Sequence, residues 1–415
     1  MYRTLLLLAA SFSTVSAYII YQIENFEGVS ELIEFDSSGN AYIYNTNNGN
    51  NYLYKISPVK EILWKTDVEF QVHKIIINSK SDVYVFLIND DLEITVNIIK
   101  SNTSTLLEID KVSLDSSFII DNDDNLIYNR DDGVYILRPD QTTPTLIKNL
   151  EWFNFRNEHT AVVDNDGNIY LGIDGLVNWN HSLAIVTKES KQRQTPIAEI
   201  FEIDYGHYIE DSLIDERGDL WIFTTDFIRS GYIKKLTNGT LETILYDEKF
   251  EFHQGVGVKD RIVVVSMTNN SYTAPTYFIK LENHEIVQIP DLANVTWKAF
   301  ASTKVIADKD GNVWFGSRYK YDKGVLVYIK YNEIEATAIQ FDRNISMKEF
   351  LFDGNEEIWV VTELSGVYNV KKGENVAGKV EAPQEFEMYF TNIKLNKVTN
   401  EVFVLSDNGL YVVAA

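Results

Sequence analysis

The chain has 415 residues, no cysteine and a formal charge of −24 at pH 7. That charge argues against nucleic acid and anionic membrane surfaces as partners, since both select lysine and arginine. Without cysteine there is no disulfide, no thiolate nucleophile and no cysteine zinc site, so the fold must rest on a large core and on its topology.

The first seventeen residues, MYRTLLLLAASFSTVSA, place Arg3 before an apolar run over residues 5–10 and end on the small triplet Val15-Ser16-Ala17. A basic, an apolar and a small-residue region in that order predict a secretory signal peptide over residues 1–17, too short to span a bilayer. The product is expected to be secreted and extracellular, with one domain over residues 18–415. Six Asn-x-Ser/Thr sequons, at Asn102, Asn180, Asn238, Asn269, Asn294 and Asn344, mark it as a glycoprotein.

After the leader the chain repeats itself. DNDGNIYLG at Asp164 returns as DKDGNVWFG at Asp308 and more loosely as DERGDLWIF at Asp215. Aligning on that aspartate gives anchors at Asp36, Asn78, Asp121, Asp164, Asp215, Val258, Asp308, Asp353 and Asn396, spaced 42 to 51 residues apart. Eight to nine units of about 44 residues thus fill the chain with no linker between them.

Each unit reads as four short β-runs separated by turn residues, and the D-x-x-G-N phrase is the turn between the first two. Gly39, Gly167, Gly218 and Gly311 supply its positive φ, and the Asp or Asn side chain closes it. The residue six places after the anchor is Tyr42, Tyr84, Tyr170, Trp221, Trp314 or Trp359 in six units, a set of aromatics expected between units. The last unit carries only three strands, while YIIYQIEN at residues 18–25 is one spare strand before the first. These features predict an all-β fold: a single large β-propeller of four-stranded blades, closed by its N-terminal strand.

DNDGNIYLG, DKDGNVWFGS and the later DNGLYVV resemble the regulator-propeller repeats of bacterial sensor ectodomains and the repeats of senescence-marker (gluconolactonase) propellers. The resemblance covers residues 18–415 and implies the fold. In general character (secreted, acidic, repetitive β, without a catalytic signature) the chain also resembles the secreted ommochrome-binding proteins of insect haemolymph, which implies a small pigment-like ligand.

No G-x-S-x-G, Walker loop or H-E-x-x-H occurs. DNDGN and DKDGN open like calcium loops, but Gly175 and Tyr319 stand where a bidentate glutamate is required. One column stands apart. Five residues before the anchors lie Glu31, His73, Ser116, His159, Glu210, His253, Thr303, Lys348 and Thr391, every one polar in an otherwise apolar strand, and three of the six histidines fall there. In a propeller the first strand of a blade is innermost, so this column is expected to ring the channel mouth. Glu31, His73, His159, Glu210, His253 and Lys348 are the candidate ligand-binding residues, for a polar or anionic ligand group.

The leading expectation is therefore a non-enzymatic binding protein for a small ligand, with no cofactor. The senescence-marker resemblance implies an enzymatic alternative, a lactonase-type hydrolase with a divalent metal at the same mouth. A third alternative is an extracellular scaffold with a protein partner.

Overall fold

A computed structural model describes residues 19–23, 28–114, 116–155, 160–175, 181–203, 206–226, 230–237, 239–248, 251–267, 276–289, 302–317, 326–343, 345–362, 366–380 and 389–414. The leader, His159 and the sequons other than Asn102 lie outside these residues. Asn102 is exposed in a turn.

The described residues form nine antiparallel sheets, eight of four strands and one whose first strand is split in two. Blade 1 is typical: Val29–Phe35, Ala41–Asn47, Asn50–Ile56 and Ile62–Val68 pair in sequence order. The second and third strands are almost wholly buried, because each sheet is covered on both faces by its neighbours. Nine apolar clusters result, each shared by two adjacent blades. Tyr42, Leu53, Ile75 and Val85 fill the seam between blades 1 and 2, and Ile33, Ile43, Phe403 and Val412 fill the one between blades 9 and 1. The nine seams close the ring. This is a nine-bladed β-propeller.

Closure follows the sequence expectation. Ile19–Gln22 is the outer strand of blade 9 and pairs with Gly409–Ala414 in the register Ile19↔Ala414 to Gln22↔Tyr411. Ile23, 3% exposed, extends the ladder by donating its N–H to Leu410 O at 2.9 Å. The sixth unit, which lacks the glycine turn, still builds a full blade. It reverses over two residues between Val258 and Arg261, with Lys259 at φ 50°.

The repeated phrase is a clamp. In blade 5, Asp215 Oδ1 accepts the N–H groups of Arg217 and Asp219, and Oδ2 accepts the indole N–H of Trp221 at 2.8 Å. Asp36–Tyr42, Asp164–Tyr170, Asp308–Trp314 and Asp353–Trp359 repeat the bond to the ring at 3.0–3.3 Å. Gly39, Gly167, Gly218 and Gly311 have φ of 80–87°, and Ser81, Asp124 and Glu356 take the same left-handed position in other blades. In blade 2 the anchor is Asn78. Its single Oδ1 serves the turn, and both Asn78 Nδ2 and the Tyr84 hydroxyl are left buried without a hydrogen bond. An amide has one acceptor where a carboxylate has two.

Two outcomes test this construction. Deleting Ile19–Gln22 should lower the melting temperature of the whole ring in one transition, because it bares both a ladder edge and an apolar seam. A truncated chain that melts like its parent would refute the closure. Asp215→Asn should cost about 1–3 kcal/mol in denaturant unfolding, because the buried Trp221 N–H loses its acceptor. An unchanged midpoint would mean the indole bond contributes nothing.

Candidate functional site

The first strand of a blade lies against the first strand of its neighbour around the ring, so these strands line the channel. The polar column has a local structural cause. In seven blades the ladder between the first two strands slips by one residue at that place: between Ser30 and Leu32, Val72 and Lys74, Ile209 and Asp211, Phe252 and Gln254, Ser302 and Lys304, Met347 and Glu349, and Phe390 and Asn392. The residue left over is Glu31, His73, Glu210, His253, Thr303, Lys348 or Thr391. Each is the extra residue of a β-bulge, without a partner opposite it, and a bulge re-aims its side chains and breaks the in–out alternation.

The remaining two units depart from the pattern. Ser116 precedes the shortened first strand of blade 3, Phe118–Ile120, and is buried. In blade 4 the first strand is divided into Phe153–Phe155 and Ala161–Val163, and His159 falls between them. The candidates among the described residues, Glu31, His73, Glu210, His253 and Lys348, therefore stand one per blade in blades 1, 2, 5, 6 and 8. Glu31, Glu210 and Lys348 are half-buried, and His73 is exposed. Among the described residues no three His, Asp or Glu side chains are placed to hold one metal ion. The first carboxylates of the calcium-like phrases, Asp164 and Asp308, are committed to turn N–H groups and aromatic rings, and Asp310 pairs with Lys372.

The place after the bulge is polar in eight of nine units, from Lys74 to Asn392, a second column visible in the sequence. Three of these side chains reach sideways to the next blade. Lys74 Nζ donates to Phe118 O of blade 3 at 3.3 Å, and Lys304 Nζ to Phe350 O at 2.8 Å and Glu349 at 2.6 Å. Asp211 Oδ2 accepts Gly255 N–H of blade 6 at 2.9 Å. At the seam of blades 9 and 1, Lys394 meets Glu34 at 2.7 Å and Thr391 donates to Ser30 O.

Within the channel the first strands of blades 1 to 4 line an open cavity of about 490 Å³. Its lining includes Phe35, Ile76, Ile119, Ala161 and Val163, with only Glu34 and Lys74 charged, and the surface it presents is polar and apolar in similar measure. Both charges have partners in neighbouring blades. The volume and the apolar side chains suit a small organic molecule.

On the first strand of blade 5 a carboxyl is buried. Asp211 is 9% exposed, and burial pushes its carboxyl up from 3.8 to about 7. Hydrogen bonds from the Gly255 and Ser212 N–H groups oppose the shift, and the charge of Glu210 adds to it.

No family model and no curated protein sequence matches the chain. Solved structures do. The C-terminal WD40 domain of Sif2 aligns with a TM-score of 0.50 at 9% identity, over 96% of this chain and 98% of that one. Streptogramin B lyase aligns at 0.45 and 10% identity over 96% and 98%. The extracellular domain of the putative one-component system BT4673 from B. thetaiotaomicron aligns at 0.33 and 12% identity over 96% and 82%. At such identities the likeness concerns the propeller fold alone.

The Asp211 carboxyl makes stability depend on pH. Because its pKa is raised in the folded ring, the folded state keeps a proton that the unfolded chain releases above about pH 4. Stability from this group is therefore full below about pH 4 and is lost as pH rises to about 7, at a slope approaching 1.4 kcal/mol per pH unit. Asp211→Asn should flatten that slope in urea titrations between pH 4 and 7. A slope unchanged by the substitution would show that Asp211 ionises normally.

Proposed function

We propose that the chain is a secreted, non-enzymatic binding protein that holds a small aromatic ligand at the channel mouth and against the wall below it. The observation that carries this reading is the cavity formed by the first strands of blades 1 to 4. It is of ligand size, its side chains are mostly apolar, and its two charges are already partnered, so an uncharged aromatic body meets no unpaired charge there. His73 lies one residue above Lys74 of the cavity wall, which connects the bulge column to the cavity. A polar or anionic group at the top of the ligand then meets the imidazoles of the column. An ommochrome-type pigment combines both features. The N-terminal leader and the exposed turn of Asn102 support secretion and glycosylation.

The test uses probes of known chemistry. 2-Methoxynaphthalene, aromatic and uncharged, should bind saturably in fluorescence titration. Ile76→Arg, which sets a guanidinium in the wall, should weaken it at least tenfold with the melting temperature nearly kept. 2-Naphthoate, ionised throughout, should bind more tightly at pH 5.5 than at pH 8, and the combined His73→Ala, His159→Ala, His253→Ala variant should lose that difference. Absence of binding to either probe would overturn the reading.

A further inference from the structure

A second cavity, of about 270 Å³, opens between blades 7 and 8 beside the anchor turn of blade 7, at the end of the ring away from the mouth. Its origin lies in how the clamped rings are covered. In blades 1 and 5 a lysine of the third strand lies over the ring: Lys55 over Tyr42 at 4.9 Å and Lys235 over Trp221 at 5.3 Å. His284 also closes on Trp221, edge-on at 5.8 Å. In blade 7 the residue paired with Trp314 is Tyr328, which stacks on the indole with centroids 4.4 Å apart. Tyr328 is paired in turn with Thr337, in a fourth strand of three small residues, Ala336–Ala338. The blade 8 turn that borders the cavity, residues 371–375, has Gly373 at φ 83°, with no atom within 4 Å of where a Cβ would stand. Small side chains and an open turn leave the space unfilled.

The lining has two parts. Trp314, Tyr328, Ile358 and Val370 belong to the apolar seam of blades 7 and 8, and the surface of the cavity is more apolar than polar. Around them stand polar groups whose charges are already matched. Lys372 pairs with Asp310 at 2.9 Å and with Glu356, and Lys330 pairs with Glu333 at 3.3 Å. Asp308 serves the Asn312 N–H and the Trp314 indole. Lys371 and Glu374, opposite in sign, close one turn. Asn375 Oδ1 accepts the Tyr328 hydroxyl at 2.8 Å, which leaves Nδ2 as a donor.

We infer that this cavity is a second ligand site, which takes a neutral hydroxylated ring of the pyranose type. Its volume lies just below the range of about 300–1,000 Å³ usual for drug-sized ligands, so it suits a single ring. The apolar floor suits the C–H face of a pyranose. Each hydroxyl of the sugar both donates and accepts, which matches a rim that sets ammonium donors beside carboxylate and amide acceptors. An ion of either sign would lie beside charges of its own sign, and the opposite charges are already paired. The site is at the other end of the ring from the channel mouth, so the inference does not rest on the channel reading.

The experiment titrates the full chain with methyl α-D-glucopyranoside, methyl α-D-galactopyranoside and methyl α-D-mannopyranoside by saturation-transfer NMR. At least one should bind saturably, with a dissociation constant in the millimolar range or below. Asn375→Trp sets an indole at the exposed rim, much as His284 stands against Trp221, and should weaken that sugar about tenfold or more with the melting temperature kept. Saturable binding of none of the three overturns the inference. Binding that Asn375→Trp leaves unchanged also overturns it, since the sugar is then held elsewhere. Tighter binding of inorganic phosphate or tetramethylammonium, lost in the same variant, would show an ionic site and overturn it as well. Should Asn375→Trp not fold, the combined Lys330→Ala, Glu374→Ala variant, changed only at exposed rim positions, decides instead: weakening of about threefold or more supports the inference, and an unchanged affinity overturns it. Failure of 2-methoxynaphthalene to bind would refute the channel reading alone.

Discussion

The ring depends on a carboxylate that does two things at once. Where an aspartate anchor is followed six residues on by Trp or Tyr, one oxygen holds the N–H groups of a tight turn and the other holds that ring at the centre of the blade, as in Asp215–Trp221 and Asp353–Trp359. The turn fixes where the second strand begins, and the ring fixes how deep it sits against the next blade. Both jobs need two acceptor atoms on one short, stiff side chain, which only aspartate supplies. Blade 2 shows the consequence of asparagine: the turn forms, and the tyrosine hydroxyl is stranded.

Because each blade buries its faces only against its neighbours, no blade has a core of its own. Stability is then a property of the seams, and the ring has to close to be stable. The N-terminal strand completes blade 9, so the first and last described segments of the chain share one sheet. Charge and hydrogen bonding reinforce the same seam through Lys394–Glu34, Thr391–Ser30 and Asn396–Gly39.

The channel inherits its chemistry from a regular defect. A bulge near the start of the first strand turns two successive residues toward neighbouring blades and the mouth, where polarity is tolerated and used. Below it the strand resumes alternation and is apolar. The ring is nonetheless uneven. Blades 1 to 4 offer a wall of mostly apolar side chains, while the mouth ends of blades 4 and 5 hold carboxyl and imidazole groups, with Asp174 beside His181 and Asp226 beside His207 at 3.8 Å.

The sequence by itself determined the repeat, the four-strand unit, the turn and the closing strand, because each is encoded within a few residues: a D-x-x-G-N turn, an alternating run, a spare strand before a three-stranded unit. It also displayed the polar column from Glu31 to Thr391. Tertiary structure alone decided why that column is polar, since a bulge exists only when two strands are in register and one has a residue too many. It likewise decided that nine blades close one ring, a matter of the angle between successive sheets. And it alone brought Asp310, Tyr328 and Lys372 to one cavity: they lie 18 and 44 residues apart in sequence, and only strand pairing and the seam between two blades set them side by side.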